Sequence, residues 1–274
     1  MLIFVGLGLF DEKDVTLKGL EAIKNADIVY LEAYTSRLTG TDIKVMEKLY
    51  ERKINVLFRE DVEINTDWLS DALDKNVVFM TGGDTMTSTT HIDLRLRAAE
   101  MGIETKLIHG PSIISAVYGL SGLQNYKFGK SASIPFPYTS SRGVRVVTET
   151  PYDTILLNKK SGLHTLVFLD IDPEKGYMTA KDGLKLLMEV ENKKSAENAE
   201  DAGTFENIVG NSIAIGIARA GSEKPCVYAD FARNFENFEL GGPLQILVIA
   251  GELHLEEAKA LVTFANAPVE ILDE

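Results

Sequence analysis

The chain is organised around the stretch Val77-Val78-Phe79-Met80-Thr81-Gly82-Gly83-Asp84. Its five consecutive apolar or β-branched residues are typical of a strand that is buried on both faces of a parallel sheet. The two glycines that follow allow backbone angles that side chains forbid, and a carboxylate comes next. The stretch therefore predicts a strand, a tight turn and a helix that begins near Thr87.

Asp84 has two interpretations at this level. In open α/β sheets, small molecules bind beyond the carboxyl ends of the strands, so an aspartate that stands alone on a glycine turn predicts a ligand contact. The same residues also suit a plain turn followed by a helix cap. The local sequence leaves both interpretations open.

Strand and helix patterns alternate through the first half of the chain. Further strands are predicted at residues 2–7, 27–31, 55–58 and 105–109, and helices at 16–25, 42–50, 87–101 and from 113 onward. This alternation predicts a largely parallel sheet with helices on both faces. Glycine, serine and proline interrupt the pattern at residues 123–150, so we expect two α/β domains, 1–126 and 127–274.

The second half has weaker local signals. Strands are predicted at residues 164–170, 212–218, 226–229 and 245–250, and helices at 152–160, 179–190 and 255–265. Residues 191–207 are polar and poor in apolar side chains, which predicts a mobile surface insertion.

Composition restricts the classes of function. The formal net charge of −13 repels phosphate backbones and argues against nucleic acid as the main partner. No apolar run approaches the roughly 20 residues of a membrane span, and the amino terminus has no secretory pattern. With one cysteine, Cys226, and four scattered histidines, we expect a cytoplasmic protein without a metal site.

One segment departs from the acidic trend. Residues 126–148 contain four basic side chains and no acidic one, namely Lys127, Lys130, Arg142 and Arg145. A solvated linker and a landing site for an acidic partner or a carboxylate are both compatible with this pattern.

Common catalytic motifs are missing. Gly6-Leu7-Gly8 lacks the third glycine of a dinucleotide fingerprint, because Asp11 stands at that position. No phosphate-binding loop and no nucleophile elbow is present, and no residue stands out as a general base. The predicted strand ends are instead rich in small residues, which suits a ligand held mainly by backbone, such as S-adenosylmethionine. These strand ends are residues 6–9, 82–84, 110–112, 218–221 and 241–243.

Motifs along nearly the whole chain resemble the diphthine synthase family, within the tetrapyrrole-methylase-like class of S-adenosylmethionine-dependent methyltransferases. They include Glu32-Ala33-Tyr34-Thr35-Ser36, Gly83-Asp84, Thr89-Thr90-His91, Tyr126-Lys127-Phe128-Gly129-Lys130 and Ala218-Arg219-Ala220-Gly221. The match does not cover residues 135–160 or the polar insertion.

The resemblance implies two α/β domains with the cofactor in the cleft between them, usually in a homodimer. It implies S-adenosylmethionine as cofactor, with S-adenosylhomocysteine as product and no metal. The cofactor contacts that carry over are Leu9, Asp84, Thr87, Ser112, Ile113, Leu169, Ala220 and Gln245. This chain departs from the family at two positions, where Thr85 replaces a usual proline and Gln245 a usual histidine.

The implied reaction is repeated methylation of the amino group on the aminocarboxypropyl-modified histidine of elongation factor 2, which gives diphthine. The basic segment would then meet the carboxylate of the substrate or an acidic face of the factor. Ring-carbon methylation of a corrin or porphyrin, ribose methylation of ribosomal RNA and a non-catalytic S-adenosylmethionine-binding protein are the alternatives.

Overall fold

The structure is a computed structural model, and it describes residues 1–34, 36–198 and 207–273. These residues form two compact units. Unit 1 contains Met1–Ala116 with Gly221–Glu223, and unit 2 contains Val117–Ala220 with the chain from Lys224 onward. The predicted domain boundary between residues 126 and 127 stays a prediction. A compact unit of a structure is not necessarily a domain that folds independently, so the two units do not test it.

Unit 1 is built on a five-stranded sheet with the strand order β3-β2-β4-β1-β5, and all of its strand pairs are parallel. The strands are β1 (Leu2–Gly6), β2 (Ile28–Glu32), β3 (Ile54–Leu57), β4 (Val77–Thr81) and β5 (Thr105–Ile108). The helices are α1 (Leu17–Lys24), α2 (Ile43–Tyr50), α3 (Arg59–Glu63), α4 (Ile92–Glu100) and α5 (Ile113–Ser121), with a 3-10 helix at Asp67–Leu73. Helix α5 begins in unit 1 and continues into unit 2.

Both faces of this sheet are covered. Phe79 of β4 packs in a core with Leu94 of α4, while Met80 packs in a second core with Ile23 of α1 and Met46 of α2. Successive strand residues point to opposite faces, so an unbroken apolar run is needed where both faces are buried. The prediction of a parallel sheet with helices on both faces is confirmed, and all five residues of β4 are buried.

Unit 2 contains a second five-stranded sheet with the order β13-β12-β14-β9-β6. Its strand pairs are antiparallel except for β6 and β9. The strands of this sheet are β6 (Ala132–Ile134), β9 (Thr165–Leu169), β12 (Ile213–Ala218), β13 (Cys226–Phe231) and β14 (Gln245–Ile249). Two further pairs of short strands lie outside it. They are β7 (Tyr138–Thr139) with β8 (Arg145–Val146), and β10 (Ile171–Asp172) with β11 (Gly176–Tyr177). The helices are α6 (Thr150–Lys159), α7 (Ala180–Asn198) and α8 (Leu255–Ala265), with 3-10 helices at Asn125–Lys127, Ala232–Asn237 and Val269–Leu272.

The start of one helix in unit 1 differs from the prediction. Helix α4 begins at Ile92 rather than near Thr87, because Thr85 O accepts hydrogen bonds from Thr89 Oγ1 and His91 Nδ1 and closes turns over the intervening residues. Thr16, in contrast, caps α1 as predicted, since its side chain accepts a hydrogen bond from Gly19 N.

Helix α7 extends through residues 191–198, where a mobile insertion was predicted. That prediction is wrong for Glu191, which is buried and accepts hydrogen bonds from Val209 N at 2.8 Å and Gly210 N at 3.2 Å. A buried carboxylate with two amide donors ties the helix to the chain that leads into β12. Residues 199–206 lie outside the described residues.

Candidate functional site

Three glycines meet at the carboxyl edge of the unit 1 sheet. A Cβ atom on Gly6 would lie 2.5 Å from Gly110 N and 2.6 Å from Gly83 O. No side chain fits at this distance, so the ends of three neighbouring strands pack backbone against backbone. The edge is therefore a surface of main-chain groups.

Gly8 holds the turn after β4 in place. Gly83 N donates to Gly8 O at 2.6 Å, and Gly8 N donates to Gly83 O at 3.3 Å. Gly83 has a φ of +76°, and no heavy atom lies within 4 Å of the place where its Cβ would be. The turn thus presents a side-chain-free face to open space, which is the feature that a closely bound ligand requires.

The carboxylate of Asp84 does not stand alone at the turn, contrary to the prediction. It is 8% exposed; Oδ1 accepts from Met86 N at 3.0 Å, and Oδ2 accepts from His109 Nδ1 at 2.8 Å and Gly110 N at 3.3 Å. Both oxygens are engaged by the protein. Asp84 therefore fixes the position of the loop after β5 relative to its own turn, and His109 carries its proton on Nδ1.

A buried acid and a buried histidine lie at the same edge. Glu32 ends β2 and its Oε1 accepts from Tyr34 N at 2.7 Å, while its Oε2 lies 4.0 Å from His91 Nε2. Burial lowers the pKa of His91, against the hydrogen bond to Thr85 O, which would raise it. The hydrogen bond to Thr85 O makes Nδ1 the donor, and Nε2 of the same ring faces Glu32.

The other predicted contacts in unit 1 lie close to this turn. Leu9 follows Gly8 and donates its N–H to Asp14 Oδ2 at 3.0 Å, and Thr87 N donates to Asp84 O at 3.2 Å. Ser112 Oγ accepts from Ile114 N at 3.3 Å at the start of α5, whose first residue is Ile113. The fold thus brings the five predicted residues of unit 1 to one edge.

The three predicted contacts in unit 2 share an edge of the second sheet. Leu169 ends β9, Ala220 follows β12, and Gln245 begins β14, which is antiparallel to both strands. Gln245 Oε1 accepts from Ala180 N at 2.9 Å, and its Nε2 donates to Gly241 O at 2.9 Å. The amide thus links the first residue of α7 to the chain that leads into β14.

Lys127, the first residue of the predicted landing site, has a structural role. It is 8% exposed; its Nζ donates to Glu252 O and lies 3.3 Å from Glu257 Oε2. Arg145 forms two hydrogen bonds to the carboxylate of Glu189. The prediction that Lys127 meets the substrate is wrong, because its charge is already neutralised inside unit 2; Lys130 is exposed.

Glu257 is the centre of a buried network that sequence inspection missed. Its Oε1 accepts from His164 Nε2 at 3.1 Å and Gln124 N at 2.8 Å, and its Oε2 accepts from His254 N at 2.9 Å. Burial would raise the pKa of Glu257, but these donors together bring it below its ordinary value. Burial lowers the pKa of His164, which receives Gly251 N on Nδ1 and is neutral. Because His164 and Glu257 are far apart in the chain, their spacing gave no signal.

Sequence inspection also missed a cavity of about 670 Å³ in unit 1, here named the Arg37 cavity. Its walls combine apolar side chains with a few polar groups. They include Leu7, Leu31, Ser36, Phe58 and Gly82, together with the basic side chains of Arg37 and Lys44 and the acidic side chains of Glu32 and Asp42.

A family model described as tetrapyrrole (corrin/porphyrin) methylases matches residues 1–213. The chain belongs to the tetrapyrrole (corrin/porphyrin) methylase family. The predicted tetrapyrrole methylase fold and the prediction of a methyltransferase enzyme are thereby confirmed, while the position of the cofactor between the two domains stays a prediction.

Close relatives extend the match over the whole chain. A diphthine synthase from Methanosarcina acetivorans is 60% identical over 274 residues, which cover 100% of this chain and 99% of the relative. A diphthine synthase from Methanococcoides burtonii is 61% identical with the same coverage. A crystal structure of diphthine synthase has a TM-score of 0.85 and 39% identity, and the match covers 99% of this chain and 98% of that one.

Membership of a methylase family implies S-adenosylmethionine as the methyl donor. Across the described ranges, no group of three or more histidine, cysteine, aspartate or glutamate side chains is arranged to hold a metal ion. Of the helices in the described part of the chain, none is long and apolar enough to cross a membrane.

Proposed function

We propose that this chain acts as a diphthine synthase, methylating the amino group of the aminocarboxypropyl-modified histidine of elongation factor 2 repeatedly. The observation that carries the proposal is the similarity to diphthine synthases of about 60% identity over nearly the full length of both chains. Matches of this extent include both sheets and every strand end described above.

The glycine edge of unit 1 fits the cofactor. Open space faces Gly83, so an adenosyl or amino-acid group can approach main-chain atoms. Thr85 Oγ1 is buried and has no hydrogen-bond partner among the described residues, which leaves a polar atom for a ligand to satisfy. The contacts proposed for the cofactor are those predicted from the sequence: Leu9, Asp84, Thr87, Ser112, Ile113, Leu169, Ala220 and Gln245.

S-adenosylmethionine, when bound, supplies a methyl group on a sulfonium, which is already activated for transfer to an amine. The residues of the chain therefore act mainly by alignment and exclusion of water, which can contribute roughly 7–11 kcal/mol to a transfer reaction. Asp84 has the clearest part in alignment, because its two oxygens lock the turn after β4 to the loop after β5.

No base is assigned. The substrate amine attacks in its neutral form, so the proton that it carries near pH 7 must be lost before transfer. Each transfer forms one N–C bond and breaks one C–S bond. Transfer to a primary or secondary amine leaves a proton on nitrogen, which solvent can accept before the next cycle, whereas transfer to a tertiary amine gives a quaternary ammonium that has no proton to lose.

The proposal includes a cytoplasmic homodimer with elongation factor 2 as protein substrate and neither nucleic acid nor a membrane as partner. The single cysteine and the net charge of −13 support the compartment and the exclusion of nucleic acid.

The test is transfer of labelled methyl groups from S-adenosylmethionine. The purified chain is offered the aminocarboxypropyl-modified factor, the unmodified factor and a corrin precursor in separate reactions. We expect label only on the modified factor, with stepwise mass increments of one methyl group. Label on the corrin would instead support ring methylation, and binding of S-adenosylhomocysteine without transfer to any acceptor would support a non-catalytic binding protein.

A further inference from the structure

We propose that the Arg37 cavity of unit 1 receives the aminocarboxypropyl-imidazole side chain of the acceptor, an assignment that rests on the proposed function. The cavity has a volume of about 670 Å³, within the range of roughly 300–1,000 Å³ typical of small-molecule sites. None of the predicted cofactor contacts of unit 1 lines it. The cavity is therefore a second site at the same edge of the sheet.

The cavity borders the glycine turn directly. Gly82 and Leu7, which directly follow β4 and β1, form part of its wall. A Cβ atom on Gly82 would lie 3.0 Å from Ser36 Oγ, so the cavity wall and the turn are in contact. Methyl transfer requires the attacking nitrogen close to the sulfonium methyl group, and a pocket that shares Gly82 with the turn places the acceptor beside the donor.

Phe58 gives the cavity an aromatic wall. Phe58 is 60% exposed, and its backbone is fixed at the start of α3, where Phe58 N donates to Asp61 Oδ2 at 2.8 Å. An aromatic ring that is held at a cavity and left uncovered suits stacking against a flat heteroaromatic group. The imidazole of the modified histidine is such a group.

Arg37 gives the cavity a cation. Its Nε donates to Ala33 O at 3.2 Å, which holds the guanidinium at the cavity while the side chain remains exposed. A guanidinium binds a carboxylate through parallel hydrogen bonds, and the acceptor carries a carboxylate on the carbon that bears its reactive amine. If Arg37 binds this carboxylate, the reactive amine lies within a few bonds of the guanidinium and can point toward Gly82.

The experiment compares two cavity variants with two matched controls. Arg37→Gln and Phe58→Ala change exposed side chains that line the cavity. Arg52→Gln is the control for the arginine, because Arg52 Nε also donates to a carbonyl, Ala26 O at 3.0 Å, outside the cavity. Phe264→Ala is the control for the exposed ring, since Phe264 is 68% exposed on α8 in unit 2.

Three quantities are measured for each protein: the KM for the modified factor, the ratio of its Kd values for modified and unmodified factor, and the Kd for S-adenosylhomocysteine. We expect both cavity variants to raise the KM by about tenfold and to lose the preference for modified factor, with an unchanged Kd for S-adenosylhomocysteine. Both controls should match the wild type.

The outcomes separate this inference from the proposed function. If the wild type transfers methyl groups and both cavity variants keep its KM and its preference for the modified factor, the inference is overturned and the proposed function stands. A weaker Kd for S-adenosylhomocysteine in the cavity variants also overturns it, because the cavity then belongs to the cofactor. If the wild type prefers the modified factor, loses that preference in the Arg37 and Phe58 variants and transfers no methyl group, only the proposed function is overturned. If the wild type shows neither the preference nor the transfer, both the inference and the proposed function are overturned.

Discussion

The carboxylate of Asp84 accepts a hydrogen bond of 2.8 Å from the imidazole of His109, 25 residues further along the chain. Gly110 N donates to the same oxygen, so one side chain links the carboxyl ends of β4 and β5. The aspartate of the glycine turn thus acts by fixing backbone positions around the proposed cofactor site.

We predict that Asp84→Asn reduces both stability and cofactor affinity. The amide nitrogen of asparagine cannot accept hydrogen bonds, so at least one of the three donors loses its partner. A hydrogen bond to a charged group contributes about 1.5–3 kcal/mol, and we expect a loss in this range in urea unfolding together with a weaker Kd for S-adenosylhomocysteine by calorimetry. Asp93→Asn, on the exposed surface of α4, is the control. An Asp84→Asn variant with wild-type values in both measurements would contradict the assignment.

Gly83→Ala should impair cofactor binding far more than folding. Gly83 and Gly102 have φ angles of +76° and +75°, and neither has a heavy atom within 4 Å of its Cβ position. Alanine therefore costs each site the same backbone strain, about 1–2 kcal/mol. Only the Gly83 methyl group would occupy space proposed for the cofactor.

Thermal unfolding and calorimetric titration of the two alanine variants separate these effects. We expect similar losses of stability, with a Kd for S-adenosylhomocysteine that is raised at least tenfold in Gly83→Ala and unchanged in Gly102→Ala. Equal affinities in the two variants would remove Gly83 from the cofactor site.

Lys127→Met should destabilise the protein without changing recognition of the factor. It removes the ammonium that lies 3.3 Å from Glu257 Oε2 and leaves a buried carboxylate without its counter-charge, and breaking a buried pair in this way costs about 3–5 kcal/mol. Lys130→Met, which changes an exposed neighbour, should stay within about 0.5 kcal/mol of the wild type in urea unfolding. A stable Lys127→Met variant with a raised KM for the factor would restore the landing-site hypothesis.

Stability should fall as the pH drops below about 6.5, the ordinary pKa of histidine. Burial lowers the pKa of both His91 and His164, so between the lowered value and 6.5 the unfolded chain binds protons that the folded chain does not. The free energy of unfolding then decreases by up to about 1.4 kcal/mol per pH unit for each group.

Urea unfolding between pH 7.5 and pH 5 measures this slope. His164→Gln removes one titrating group and should flatten the dependence. A wild-type stability that is constant over this range would show that the buried rings take up protons in the folded state.

Local patterns in the sequence were sufficient for much of the fold. The apolar run from Val77 to Thr81 could only be accommodated by a strand with both faces covered, and Thr16 marked the start of α1 through its own side chain. These features depend on neighbours a few residues apart, and the same holds for the glycine turns at which the strands end. The order of family motifs along the chain identified the methylase family without any knowledge of contacts.

Tertiary structure alone decided what the polar side chains do. Asp84 is bound by His109, Lys127 is buried beside Glu257, and Gln245 holds the first residue of α7. Each of these partners is separated by many residues from the group it binds, so neither periodicity nor motif spacing records the contact. The charge of a lysine or an aspartate indicates a solvent-facing or ligand-facing role by default. Only the packed fold, which removes water and supplies donors and acceptors from distant segments, turned these groups inward.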